Sequence, residues 1–278
     1  QTGAPAVQAE LSAESMFITE DVDESSVAIT GFKTDDANFT SDVVIPPTID
    51  DKTVVALKNN NGLSKCMPGA DKVTSLDTSL CNSLYIEEYA FYNCKGITSV
   101  DLSNCTAIGN YAFGYCSGIT KVTWSTSMDT IPNSCFARCS SLKTFNSETE
   151  GECNLSGITS IGEGAFDSGA FDKVVWPSSI TTIPVRCFAG CKNLKTFNSD
   201  IEGEFNLSGI AIGQGAFSGC GSLTSIDLSG ITSIEANAFS NCKGITKVTW
   251  PSSINTIPNN CFQGCSSLNT FNSETDGV

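Results

Sequence analysis

Histidine is absent from the 278 residues, which closes the Ser-His-Asp and Cys-His nucleophile pairs, the HExxH zinc motif and facial-triad iron sites to this chain. Charge is scarce too. Charged residues make up 16%, thirty acidic against fifteen basic, and the resulting net charge of -15 repels phosphate backbones and anionic lipid headgroups. Nucleic acid is therefore not an expected partner. No run approaches eighteen consecutive apolar residues, so no membrane insertion is expected. The opening QTGAPAVQAE lacks the charged-then-apolar order of a signal peptide and reads as a mature N-terminus after cleavage. Residues 1–24, poor in large apolar groups, read as a flexible tail.

What the chain does have is self-similarity. Phenylalanines preceded by Ala or Cys stand at Phe91, Phe113, Phe136, Phe166, Phe188, Phe217, Phe239 and Phe262, a period of about 22 with two longer spacings. Five residues before each is an isoleucine: Ile86, Ile108, Ile131, Ile161, Ile183, Ile212, Ile234 and Ile257. Three residues after each is a cysteine, with Gly169 the exception. An LxxLxL-like run follows, as in Leu223, Ile226 and Leu228, whose period-two ending marks a short strand with one buried face. The AFxxC segment is predicted to be a short helix or 3₁₀ turn.

One such rung cannot bury its own Phe, Ile and Leu, whereas rungs stacked at the strand spacing align each residue type in a continuous file. A β-rich solenoid is expected, eight rungs giving roughly 40 Å of parallel sheet at about 4.8 Å per strand. Positions 126 apart match without a gap (CSGITKVTW from Cys116, CKGITKVTW from Cys242), as duplication of blocks of rungs would leave them.

The AFxxCxxL core, the preceding isoleucine and the period together resemble the BspA-like class of leucine-rich repeats over about residues 81–278. The segments VAITGF and DVVIPPTIDDKTVVAL resemble the β-rich opening of such proteins, giving a cap with a degenerate first rung over 25–80. The resemblance implies a secreted or surface-displayed protein of host-associated bacteria or protists that binds or adheres. It implies no catalytic residues, and neither an enzyme nor a cofactor is expected.

Fourteen cysteines in an exported chain admit bridges between neighbouring rungs. Yet the repeats exchange cysteine for apolar residues, Cys153 standing where Phe205 does and Cys135 where Ala90 does, as buried free thiols would. Metal ligation lacks the converging spacing. Trp124, Trp176 and Trp250 fall on inward strand positions and read as core rather than as a sugar-stacking row.

Outward strand positions supply the candidate partner contacts: Asp101, Lys121, Asn146, Lys173, Asn198, Asp227, Lys247 and Asn272. Asp101 and Asp227, five rungs or about 24 Å apart, are too distant for a glycosidase pair. The two long spacings hold acidic insertions. In an extended chain Glu148, Glu150 and Glu152, and likewise Asp200, Glu202 and Glu204, would share one side as a calcium cluster; otherwise each insertion is a solvated turn that protects a protruding edge, and even then it is the first choice for a partner contact. The expected partner is a protein or glycoprotein, host-derived or a neighbouring envelope component. The alternative role is an accessory or structural subunit of an envelope assembly, its partner covering the end near Val278 where the last rung lacks a following strand.

Overall fold

The computed structural model describes residues 11–272. Each LxxLxL run becomes a strand of two or three residues, too short to hold alone and sustained by its neighbours. Eight of them form one parallel sheet in chain order: Asp42–Val44, Ser75–Asp77, Ser99–Asp101, Lys121–Thr123, Thr144–Phe145, Glu152–Asn154, Lys173–Val175 and Thr196–Phe197. Single bridges from Phe197 to Phe205 and from Asn206 to Asp227 carry the ladder into Ser225–Asp227, Lys247–Thr249 and Thr270–Phe271. Alternation turns Val100, Val122, Val174, Ile226 and Val248 into the core. The isoleucines line further short parallel strands, such as Thr182–Ile183, Ala211–Ile212 and Ser233–Ile234. Ile257, about half exposed, is the one among them that is not buried.

The eight phenylalanines form one file. Each ring stacks on the next at 5.2–6.1 Å and within 11° of parallel, from Phe91 to Phe262. Of the short helix or 3₁₀ turn expected, their segments keep the i→i−3 hydrogen bonds of turns but form no helix. Each is a run of turns with left-handed residues two before and two after the phenylalanine, for instance Tyr89 and Asn93 (φ 60° and 61°) around Phe91. Alternate N–H groups then take different partners. Those of Ala90, Tyr92 and Cys94 donate within the rung, to Glu87, Tyr89 and Phe91, while those of Tyr89, Phe91 and Asn93 donate to Asn110, Ala112 and Gly114 of the next rung. A helix would spend every donor internally and leave the rungs unlinked on this side.

The acidic insertions do not protrude. Their second halves are extra strands within the sheet, Cys153 and Phe205 facing the core, while on the turn side Phe136 stacks directly on Phe166 and Phe188 on Phe217. A mismatch of spacing accounts for them. Seven stacking steps from Phe91 to Phe262 span about 40 Å, and the nine strand steps from Val100 to Phe271 span about 43 Å at 4.8 Å each. Without the two added strands the sheet side would fall roughly 7 Å short of the aromatic side. Asp101 and Asp227 are consequently seven strand steps apart rather than five.

At the N-terminal end, residues 11–24 are not the tail expected. Met16 and Phe17 are buried, and Phe17–Asp21 pairs antiparallel with Ser26–Phe32, which in turn lies parallel to Lys52–Leu57. Residues 1–10 of the expected tail lie outside the described residues. Phe32 contacts Phe17 at 5.9 Å and Phe91 at 6.3 Å. The degenerate rung is complete in shape, with Met67, Ala70, Val73 and Leu76 where its successor has Phe91, Cys94, Ile97 and Val100.

All fourteen cysteines are free, and all but Cys66 are buried. The thiols of Cys116, Cys139, Cys191, Cys220, Cys242 and Cys265 each donate to a phenylalanine carbonyl one rung back, at 2.9–3.3 Å. Cysteine here supplies a small volume and a weak donor together. Gly169 breaks the series because its rung is one residue shorter: the buried Phe171 ring stands where a Cβ at Gly169 would have to sit, 2.5 Å away, and fills both the cysteine and the leucine places. The tryptophans are core, their indole N–H groups donating to the carbonyls of Met128, Ile180 and Ile254 at 2.8–2.9 Å.

Candidate functional site

The strand face gives most of its expected contact residues internal work. Asp101 and Asp227 accept the backbone N–H groups of Ser103 and Ser229, both at 2.8 Å, as turns that end their strands. Asn146, Asn198 and Asn272 hold left-handed positions (φ 49°, 51° and 54°), which Asn tolerates better than most side chains. Asn272 also accepts the Trp250 N–H at 2.6 Å. Lys121 meets Glu148 at 3.4 Å, and Lys173 meets Glu152 at 3.6 Å and Asp200 at 3.3 Å. Lys247 lies between Ser225 and Thr270 of adjoining strands. The two shallow hollows on this face, of about 230 and 430 Å³, offer neither an exposed aromatic ring nor a guanidinium.

The insertion carboxylates do not assemble as an extended chain would place them. Residues 148–151 turn, so Glu148, Glu150 and Glu152 diverge to Lys121, Lys143 and Lys173. In the second copy Asp200 goes to Lys173, Glu204 accepts from Ser199 at 2.5 Å, and Glu202 is exposed. Among the described residues no three His, Cys, Asp or Glu groups are placed to hold a metal ion.

The opposite, turn face carries chemistry that the sequence reading missed. The chain has five tyrosines and two arginines, and four of the tyrosines and both arginines gather here. Tyr89 and Tyr111 stack at 5.0 Å and 3°, Tyr92 meets Tyr89 edge-on at 5.2 Å, and Tyr115 leans on Tyr92 at 5.2 Å. Partial burial, then the nearby Glu88 carboxylate, lifts the Tyr89 hydroxyl above the usual phenol range; burial and then Tyr115 do the same for Tyr92.

Further along the axis Asp167, its side chain only 9% exposed, sits between the arginines, 2.7 Å from Arg186 Nη2 and 3.6 Å from Arg138 Nε. Its other oxygen contact is the Ser168 hydroxyl, which donates at 2.6 Å. One buried carboxylate thus fixes two half-exposed guanidinium groups and leaves most of their donors outward. Between these groups opens a cavity of about 290 Å³. A second hollow of about 530 Å³ adjoins it across Arg138, over Gly169 and Gly190.

Backbone conformation sets these residues apart. Tyr89, Tyr111, Tyr115, Arg138 and Arg186 all have φ between 54° and 64°, in slots that other rungs fill with Gly164, Gly215, Asn237 and Asn260, or with Gly190, Gly219, Asn241 and Gly264. A bulky side chain there costs about 1–2 kcal/mol. The signal was present in the sequence as Tyr and Arg at fixed offsets from the ladder phenylalanine, but it is unreadable until those offsets are known to be left-handed and outward.

The family model for the BspA type leucine rich repeat region matches in six copies over residues 69–195 and 198–276. No curated protein matches the sequence. Among solved structures, a leucine rich cell surface protein from Faecalibacterium prausnitzii is 18% identical over 97% of this chain and 96% of its own, with TM-score 0.41. The pneumococcal vaccine antigen PcpA is 13% identical over 94% of this chain and 86% of its own, with TM-score 0.42. The leucine rich repeat protein of T. pallidum is 19% identical over 95% and 83%, with TM-score 0.33. With its repeat matched over most of its length, the chain belongs to the BspA-type leucine-rich-repeat family.

Proposed function

We propose that this repeat scaffold is a non-catalytic binding or adhesion protein, exported and displayed at the cell surface, that holds a protein or glycoprotein on its turn face. One observation carries the reading: five bulky Tyr and Arg side chains occupy left-handed positions where the same repeat elsewhere uses Gly, Asn or Ser. Their contacts with one another and with Asp167 offset part of that strain, and strain retained against an available alternative points to function. Tyrosine and arginine are also the residues that most often dominate interfaces. Loops on a rigid frame are where recognition concentrates, and here the described turns around the ladder phenylalanines are hydrogen-bonded from rung to rung. The lack of histidine supports a role without acid-base catalysis. Unpaired thiols are compatible with an oxidising exterior because burial raises twelve of them, and a contact with a neighbouring thiol followed by burial raises Cys66 and Cys94, suppressing the thiolate that oxidation requires.

The test compares the chain with a triple variant, Tyr89→Asn, Tyr115→Asn and Arg138→Asn, in solid-phase binding to extracellular glycoproteins. Asn already occupies these slots in other rungs, so the melting temperature should hold. Binding by the parent chain with at least a tenfold loss in the variant is the expected result, about 1.4 kcal/mol or more. Equal binding by both proteins, or turnover of a glycan or peptide by the parent, would overturn the proposal.

A further inference from the structure

We infer that the cleft between Tyr111 and Arg186 receives a single neutral sugar ring of a glycan. The inference rests on the turn face being a contact surface and names the chemistry of its ligand. Two residues before the ladder phenylalanine, successive rungs carry Tyr89, Tyr111, Ser134, Gly164 and Arg186. Tyr89 covers one face of the Tyr111 ring. The next two rungs offer only Ser134 and Gly164, so no ring stacks on Tyr111 from that side, and Tyr111 and Tyr115 line the cavity together with Arg186.

Its volume of about 290 Å³ falls at the bottom of the range for small-molecule pockets, which begins near 300 Å³. That leaves room for one ring. The electron-rich face of a tyrosine suits the C–H face of a pyranose. Opposite it, Arg186 and Arg138 present fixed donors, while Asp167 and Glu163 are the acceptors that line the same space. Hydroxyl groups, each both donor and acceptor, match that mixture. A strongly anionic ligand matches it less well: two positive groups face two negative ones, and the whole chain carries a charge of -15. An extended peptide lacks an edge to join, because the N–H groups of these turns are spent within and between rungs.

The probes are the methyl glycosides of glucose, galactose, mannose and N-acetylglucosamine, titrated to roughly 50 mM, a range suited to a millimolar site. N-acetylneuraminic acid and a neutral hexapeptide form the comparison arms. Ring-labelled tyrosine is followed by NMR in the full chain and in Tyr111→Asn, Tyr111→Phe and Tyr85→Ala. Saturable shifts with at least one neutral glycoside are expected, weakened about tenfold in Tyr111→Asn, within about twofold in Tyr111→Phe, and unchanged in Tyr85→Ala. No saturable shift with any neutral glycoside, binding confined to the acidic sugar or the peptide, or full affinity in Tyr111→Asn would each overturn the inference. Glycoprotein capture that survives both enzymatic deglycosylation and Tyr111→Asn, yet is lost in the triple variant, would remove the sugar while leaving the contact face in place.

Discussion

Raising the pH from 7 to 9 should destabilise this protein by about 5 kcal/mol through its cysteines. Twelve of the fourteen, all except Cys66 and Cys265, are no more than 1% exposed. Burial pushes Cys105 up to about 11 and Cys81, Cys242 and Cys261 up to about 12 from the ordinary 9.0 and holds seven others above it, while the Cys116 thiol, followed by burial, holds up Cys94. Raised folded values mean that the stabilisation is complete below 9.0 and disappears as pH climbs from there toward the folded values. At pH 9 each thiol is half ionised in the unfolded chain and neutral in the folded one, a loss of about 0.4 kcal/mol apiece. Twelve together remove about 5 kcal/mol, comparable to the whole stability of many domains. At pH 8 the same linkage removes less than about 1 kcal/mol. Urea unfolding in the presence of a phosphine reductant at pH 7, 8 and 9 measures this directly. Tyrosine and lysine, with ordinary values near 10 and above, contribute little in that window. A stability at pH 9 within about 1 kcal/mol of that at pH 7 would refute the argument.

Three further expectations concern the stack. Phe188→Ala empties a fully buried site stacked on both faces, with four ring neighbours at 5.9–6.0 Å, and should cost about 4 kcal/mol, whereas Phe262→Ala, half-buried with three ring neighbours at 6.0–6.1 Å and stacked on one face, should cost about 2; equal losses in urea unfolding would contradict a nearest-neighbour solenoid. Gly169→Cys restores the repeat pattern yet should destabilise by about 1–3 kcal/mol, because the new Cβ collides with Phe171; a higher melting temperature would show that the short rung is not packed as described. Gly151→Ala meets both a positive φ and the Asp172 carboxylate 2.5 Å away, whereas Gly203→Ala meets only the positive φ, so thermal unfolding should show the first to be the more damaging, with about 1 kcal/mol expected for the second.

The period of Phe, Ile and Cys was enough to specify a solenoid with the phenylalanines in one file, because a rung that cannot bury its own side chains has to share them with its neighbours. Tryptophans at strand ends and cysteines that trade places with alanine likewise declared themselves as core. Local pattern misled where register mattered. The glutamates of the insertions alternate like a strand, yet the chain turns beneath Glu148 and Glu150 and only Glu152 joins the sheet. Residues 11–24 carry few large apolar groups, and the two that count, Met16 and Phe17, acquire meaning only against Phe32 and the end of the file.

The turn face was out of reach for a different reason. Tyr89, Tyr111, Arg138 and Arg186 are scattered over nearly a hundred residues and follow no alternation of strand or helix. They become neighbours because rungs stack about 6 Å apart, and they point outward because left-handed residues reverse the turns at those offsets. Sequence determined which residues must be dry, since burial of apolar surface follows from composition and period alone. Tertiary structure decided which exposed residues meet, because that depends on backbone handedness and on spacing between layers, neither of which a single rung encodes.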